Sequence, residues 1–279
     1  MISIALALGA ALAFGISDFT VGLASRRAHF LWVTLASIVI SLGLVAVTLP
    51  WTSPLPPAVG PIAWGGLSGV GTAVGSLALY RGFGRGEMSV AGPLSAVGAA
   101  ALPALVGVIL GDRLLPLAIA GVVVALPAIW LVSKASSSSG PSFRAGAIDG
   151  CVAGLGFGLL FIGLNRAGNQ DGLWPVAAGE TTALLLIGLA IWVTRPARPT
   201  TVVKIGWLVI ATGALGILGT ITYFYATQHG MLTIAAVVTS LYPAFTVLLA
   251  FLVLREQPNR TQLVGLALCA VAIVGIVAY

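Results

Sequence analysis

Charge is scarce in this sequence. Only 7% of its 279 residues are Asp, Glu, Lys or Arg, against 59% hydrophobic, and the mean hydropathy is +1.10. A soluble domain carries roughly a quarter charged residues to keep its surface hydrated, so a water-facing globule is excluded and an integral membrane protein is expected. The net charge of +6 sits on scattered Lys and Arg rather than on a basic stripe interleaved with aromatics, which argues against nucleic acid. Cysteine is equally sparse. Cys151 and Cys269 fall in separate apolar segments, as small core residues rather than a disulfide or metal pair. His29 and His229 stand singly, so no metal site is expected. No Walker-type phosphate loop occurs, which removes nucleotide hydrolysis as a driving force. Neither HExxH nor GxSxG is present, so no catalytic residue or cofactor is assigned.

What the sequence does have is long apolar runs. Segments such as "AFTVLLAFLVL" are continuously apolar, without the alternation of a barrel strand. A helix crossing the roughly 30 Å hydrocarbon core needs about 20 apolar residues. Residues 28–80 and 205–254 are free of formal charge, each long enough for two crossings. The spacing predicts ten helices, over 2–24, 30–49, 60–80, 88–111, 115–133, 146–165, 174–194, 204–226, 232–254 and 260–278. The first is read as a membrane span rather than a removable signal, because no basic segment precedes it. One sizeable hydrophilic stretch, "SKASSSSGPSFR" (Ser133–Arg144), reads as a joint between halves 1–134 and 146–279, with 135–145 as linker.

The halves repeat one another. At an offset of 144 positions Gly86 falls on Gly230, Ser89 on Thr233, Ala91 on Ala235, Asp112 on Glu256 and Gly121 on Gly265. The starts agree at an offset of 143, "AFG" (Ala13–Gly15) with "GFG" (Gly156–Gly158). Five spans per half is odd, so the second copy enters the membrane inverted, as in many secondary transporters. Charge follows the same logic. Loops on one face carry Arg26, Arg27, Arg81, Arg85, Lys134, Arg144, Arg195, Arg198, Lys204, Arg255 and Arg260, while the other face has Arg113 and Arg166. The positive-inside rule makes the first face cytoplasmic and places both termini outside.

The stretch "LYRGFGRGEMSVAGPLSAVGAAALPALVGVILGDRLLPLAIAGVVV" and its second-half counterpart "TIAAVVTSLYPAFTVLLAFLVLREQPNRTQLVGLALCAVAIVGI" resemble the EamA-type repeat of the drug/metabolite transporter superfamily. The shared outline is an aromatic-Arg loop, small residues, a mid-helix proline and an acidic-Arg helix end. Here Asp112 stands where that outline usually has Glu. The resemblance implies two inverted five-helix repeats around a central cavity, in the plasma (bacterial inner) membrane. It also implies export of amino acids or related small metabolites, with a monomer as the working expectation. A proton-coupled exporter of drugs or toxic compounds is the alternative. A membrane-embedded enzyme is a weaker one, since it needs a catalytic pair inside the spans.

Within the spans, a carboxylate costs on the order of 3 kcal/mol and normally faces protein or water. Asp18 and Glu180 are the two well inside. Asp18 aligns with Phe161 at an offset of 143 and Glu180 with Ile38 at an offset of 142, so each is acidic in one copy only and is a candidate for solute or proton coupling. Asp149, Asp171 and Glu87 lie at span ends, where solvated carboxylates are expected, and Asp112 and Glu256 are expected to anchor helix ends. Tyr80, Tyr223 and Tyr242 present an apolar ring with a polar tip and are candidates for substrate contact. Thr239 and Ser240, in "TSLYP", add hydroxyls beside a helix kink. Pro93 and Pro243 are the expected kinks, each removing a backbone donor.

Overall fold

The computed structural model describes residues 1–25, 27–52, 58–85, 88–133, 141–168, 172–197, 206–254 and 260–277. Glu87, Asp171, Glu256 and the loop cations Arg26, Lys134, Arg198, Lys204 and Arg255 lie outside these residues, as does the side chain of Pro93 within α4. The described residues form helices α1 (Ile2–Ser25), α2 (Phe30–Thr52), α3 (Val59–Gly84), α4 (Met88–Ile109), α5 (Pro116–Ser133) and α6 (Pro141–Ala167). They continue as α7 (Trp174–Thr194), α8 (Gly206–Gln228), α9 (Leu232–Thr239), α10 (Tyr242–Leu254) and α11 (Arg260–Val277). No strand occurs among them.

Seven apolar segments are long enough to cross a membrane: α1, α2, α3, Arg144–Ala167, α7, α8 and Leu232–Val253. Three shorter apolar helices, Leu94–Ile109, Pro116–Leu131 and Arg260–Gly275, lie within α4, α5 and α11. The ninth expected span is not one kinked helix. It breaks at Ser240 and Leu241, and Pro243 sits in the first turn of α10. Proline at that position lacks only an N–H that a helix start leaves unpaired anyway. Before the break, the Thr239 carbonyl loses its usual donor four residues on.

Helix α3 runs antiparallel to α6 along its full length. Arg81 meets Asp149 at one end and the Trp64 ring meets Arg166 at the other, 5.7 Å from the guanidinium carbon. Between them the backbones close on glycine. A methyl group at Gly75 would strike the Phe157 ring at 2.6 Å, and one at Gly163 would meet Ser68 and the Trp64 carbonyl at 2.9 Å. Helices α1 and α8 make the corresponding antiparallel pair. Ser3 Oγ donates to the Ala226 carbonyl (2.8 Å), Ser17 Oγ donates to that of Thr212 (3.0 Å), and a methyl group at Gly219 would strike the Phe14 ring at 2.8 Å. Phe14 and Phe157 are equivalent at the 143 offset, and Gly75 and Gly219 at the 144 offset. The same ring therefore enters the same glycine notch twice, each time between halves.

Polar groups at the helix ends are partnered across the halves. Gly111, at φ +103°, closes α4 in a left-handed turn in which the Asp112 N–H reaches back to the Gly107 carbonyl at 2.9 Å. This Schellman-type ending leaves Asp112 Oδ2 to accept the Thr233 N–H at 2.9 Å, capping the first turn of α9 from another helix. Asp149 corrects its expected role. It is not a solvated span-end carboxylate: its side chain is 1% exposed. Arg81 Nε of α3 (3.0 Å) and Arg85 Nη1 just past the end of α3 (3.3 Å), both from the other half, donate to it.

Two outcomes follow. Gly75→Val or Gly219→Val inserts atoms into a filled notch and should cost about 1–3 kcal/mol, read as a lower unfolding temperature in detergent. Gly43→Ala, where nothing lies within 4 Å, should leave it unchanged or slightly raised. Asp149→Asn should cost up to about 1.5–3 kcal/mol, the scale of hydrogen bonds to a charged group, reduced because the Arg81 and Arg85 side chains are 40% and 53% exposed.

Candidate functional site

Helical spacing gathers the polar face of several helices at one place. On α3, Thr72, Ser76 and Tyr80 follow one another at four-residue steps, and on α8 Thr212, Gly216 and Thr220 do the same, so each trio shares a face. Between them α1 contributes Phe14, Ser17 and Asp18, α2 contributes Ser37 and Ser41, and α7 contributes Glu180. Together they line a space of about 510 Å³, part of it open to solvent. A second space of about 330 Å³ adjoins it and shares Phe14, Asp18, Phe157 and Leu160 as walls. Phe161 of α6 and Tyr242 of α10 complete that second lobe. The cavity is thus central and bipartite, with a polar lobe and a largely aromatic one.

The hydrogen bonding of the polar lobe leaves mostly acceptors facing inward. Ser17 donates to the Thr212 carbonyl (3.0 Å), Ser37 to that of Val33 (2.9 Å) and Ser41 to that of Gly213 (2.9 Å). Thr72, Thr212 and Thr220 each donate to the carbonyl four residues back in their own helix. A hydroxyl whose proton is so used still offers lone pairs. The carboxyls stand among these acceptors. Glu180 is 4% exposed, and its Oε2 has no hydrogen-bond partner among the described residues. Asp18 is half-buried and, among the described residues, meets neither a cation nor a hydrogen-bond donor. Among the described residues, no Lys, Arg or His lines either lobe.

Of the residues singled out from the sequence, the structure brings Asp18, Glu180, Tyr80 and Tyr242 to this cavity. The Tyr242 hydroxyl pairs with Ser95 Oγ at 3.3 Å. Tyr223, Thr239 and Ser240 do not line it. Tyr223 is fully buried, donates to the Phe161 carbonyl at 3.1 Å and stacks its ring on Phe161 with centroids 4.1 Å apart. Thr239 donates to the Ala7 carbonyl at 3.4 Å, while Ser240 Oγ, also fully buried, has no partner among the described residues. Both sit at the α9–α10 break rather than on the cavity wall. Pro243 lies beside them in α10.

Sequence reasoning missed the walls. Phe14 and Phe157 marked the repeat but not the site, and the serines and threonines of α2, α3 and α8 gave no distinguishing signal beyond being polar at mid-span. Their four-residue spacing on glycine-rich helices was the available clue.

No curated protein matches the sequence. A solved crystal structure superposes on it with a TM-score of 0.77 at 17% identity, covering 98% of this chain and 95% of that one, a likeness of fold alone. Residues 144–278, the second half, match the EamA-like transporter family. With apolar helices long enough to cross a membrane, this match makes the second half of the chain, residues 144–278, an EamA-like transporter repeat in a multi-pass membrane protein.

Proposed function

We propose that the chain is a secondary transporter that passes a small metabolite through the bipartite cavity by alternating access. The observation that carries the reading is Glu180, buried with an unpartnered oxygen in a central cavity, where a carboxyl with no structural partner would be a liability unless it met a solute or a proton. In this reading residues 1–134 and 146–279 are two five-helix units, threaded through the bilayer in opposite senses and joined by 135–145. The ten spans comprise the seven long ones and the three shorter helices, with the broken α9–α10 segment counted once. Support comes from the exchange of partners, α3 with α6 and α1 with α8, and from the twice-used phenylalanine–glycine notch. Both are what two inverted copies facing each other would produce.

The cavity draws walls from both units, so rocking one against the other opens it to either side. The clamp of Arg81 and Arg85 on Asp149 joins α3 to α6 at the face assigned to the cytoplasm by its Lys and Arg excess. Both termini then lie outside, and the membrane is the plasma (bacterial inner) membrane. The family resemblance points to amino acids or related small metabolites moved outward. Asp18 and Glu180 would receive the amino group of such a solute and, when it leaves, a proton in its place.

In proteoliposomes, a labelled panel of amino acids and amines should accumulate against a gradient when a pH difference is applied. Glu180→Gln and Asp18→Asn should each lower the initial rate by about tenfold or more, the scale of one lost hydrogen bond to a charged group. Rates unchanged in both variants would remove the carboxyls from the cycle. Topology is checked separately in a chain carrying Cys151→Ala and Cys269→Ala. Arg85→Cys should react with an impermeant thiol reagent only from the cytoplasmic side, and His229→Cys only from the outside. Labelling of both from one side would overturn the inverted threading.

A further inference from the structure

We propose that the solute is a small organic cation lacking a carboxylate, an alkyl- or arylalkylammonium, with its charged head between Asp18 and Glu180 and its apolar body in the phenylalanine-lined lobe. This rests on the cavity being the solute site of the transporter reading, and it narrows "amino acids or related metabolites" to the amines among them.

The argument begins with what the polar lobe can pair. It holds two carboxyls, the hydroxyls of Ser76 and Tyr80, and six further hydroxyls whose protons are already given to backbone carbonyls. Such a surface satisfies N–H donors and positive charge well. A carboxylate placed there would meet carboxyls and oxygen lone pairs and, among the described residues, no basic side chain. The cost of a buried, unpaired charge is severe, so a zwitterion gains at its amine and loses at its acid. Glu180 gives the independent sign that a ligand belongs here, because a side chain 4% exposed keeps one oxygen without a partner among the described residues.

The second lobe sets the rest of the molecule. Phe14, Phe157 and Phe161 surround a space that shares Asp18 with the polar lobe. Aromatic faces attract a desolvated cation and tolerate an apolar tail equally well, so head and body are both served. The repeat makes the two ends differ. Asp18 falls on Phe161 at an offset of 143 and Glu180 on Ile38 at an offset of 142, both of which also line the cavity, so one copy supplies charge where the other supplies hydrocarbon.

The titratable groups facing Glu180 are Asp18 from α1 and Tyr80 from α3, while α2, α6 and α8 present only Ser, Thr, Gly, Ile, Leu and Phe. Tyr242 of α10 faces Asp18 in the other lobe. A proton on either carboxyl removes the charge that holds the ammonium. Solute and proton therefore compete, and binding of the cation releases a proton to solution.

Three solutes with one phenylethyl body separate the possibilities: phenethylammonium, phenylalanine and hydrocinnamate. Calorimetric titration of the purified full chain in detergent should give phenethylammonium the tightest binding, phenylalanine about tenfold or more weaker, and hydrocinnamate none. Phenethylammonium affinity should fall as pH is lowered, and its preference over phenylalanine should shrink in Glu180→Gln. Asp18→Asn serves the same purpose should the first variant fail to fold, and the pH series needs no variant. Phenylalanine binding as tightly as the amine, binding of hydrocinnamate, or binding of none of the three overturns the inference. Counterflow in proteoliposomes reads the transport reading independently. Amine-selective binding without counterflow would sink that reading and keep the charge preference, whereas counterflow of phenylalanine in preference to the amine would do the reverse.

Discussion

In hydrocarbon a polar group must find its partner inside the protein, and this constraint arranges the chain. Asp149 draws two guanidiniums from another helix, Asp112 takes a backbone amide at the start of α9, and the mid-span hydroxyls give their protons to carbonyls. Against that background a partnerless group is informative. Glu180 Oε2 is one, and it lies at the centre of the bundle rather than at an edge where lipid headgroups or water could serve it. Stability alone would have replaced it with an apolar residue, because an unpaired buried charge costs far more than the side chain's packing returns.

Association of helices in lipid cannot draw on hydrophobic burial and relies on close packing instead. Here the close contacts are between halves. Gly75 receives Phe157 and Gly219 receives Phe14, so α3 lies on α6 and α1 on α8 with a ring filling each notch. Both phenylalanines also form walls of the cavity. The contact that holds the halves together is thus the contact that shapes the space between them, and a shift of either helix pair moves a cavity wall.

Much of the architecture was legible in the sequence because hydrocarbon thickness fixes span length, and the helices follow the apolar segments closely. The glycine and phenylalanine spacings shared by the two halves were legible too, and the structure places those residues in matching contacts. What the spacings could not give was partnership. Asp149 looked like a solvated span-end acid because its guanidiniums come from residues 64 and 68 positions away, on a helix that nothing local connects to it. Tyr223 looked like a site residue beside Tyr80, but its ring is stacked on Phe161 and its hydroxyl is spent on a carbonyl. Pro243 signalled a disturbance in the ninth span. The break falls before it, because proline is tolerated in the first turn of a new helix and not in the middle of an old one.

Asp18 and Glu180 belong to different halves, α1 of the first and α7 of the second. Their mutual repulsion therefore depends on how the halves sit, and beside low-dielectric protein walls that dependence is steeper than in bulk solution. An ammonium between them would draw both halves toward one another, while a proton on either would relax the repulsion without bridging them. The two ligands would then favour different separations of the same two walls, and a ligand can shift a conformational equilibrium only by such a difference. In the proposed alternating-access cycle, placing one acid in each half, rather than two in one, would convert binding at the centre into a force between the halves.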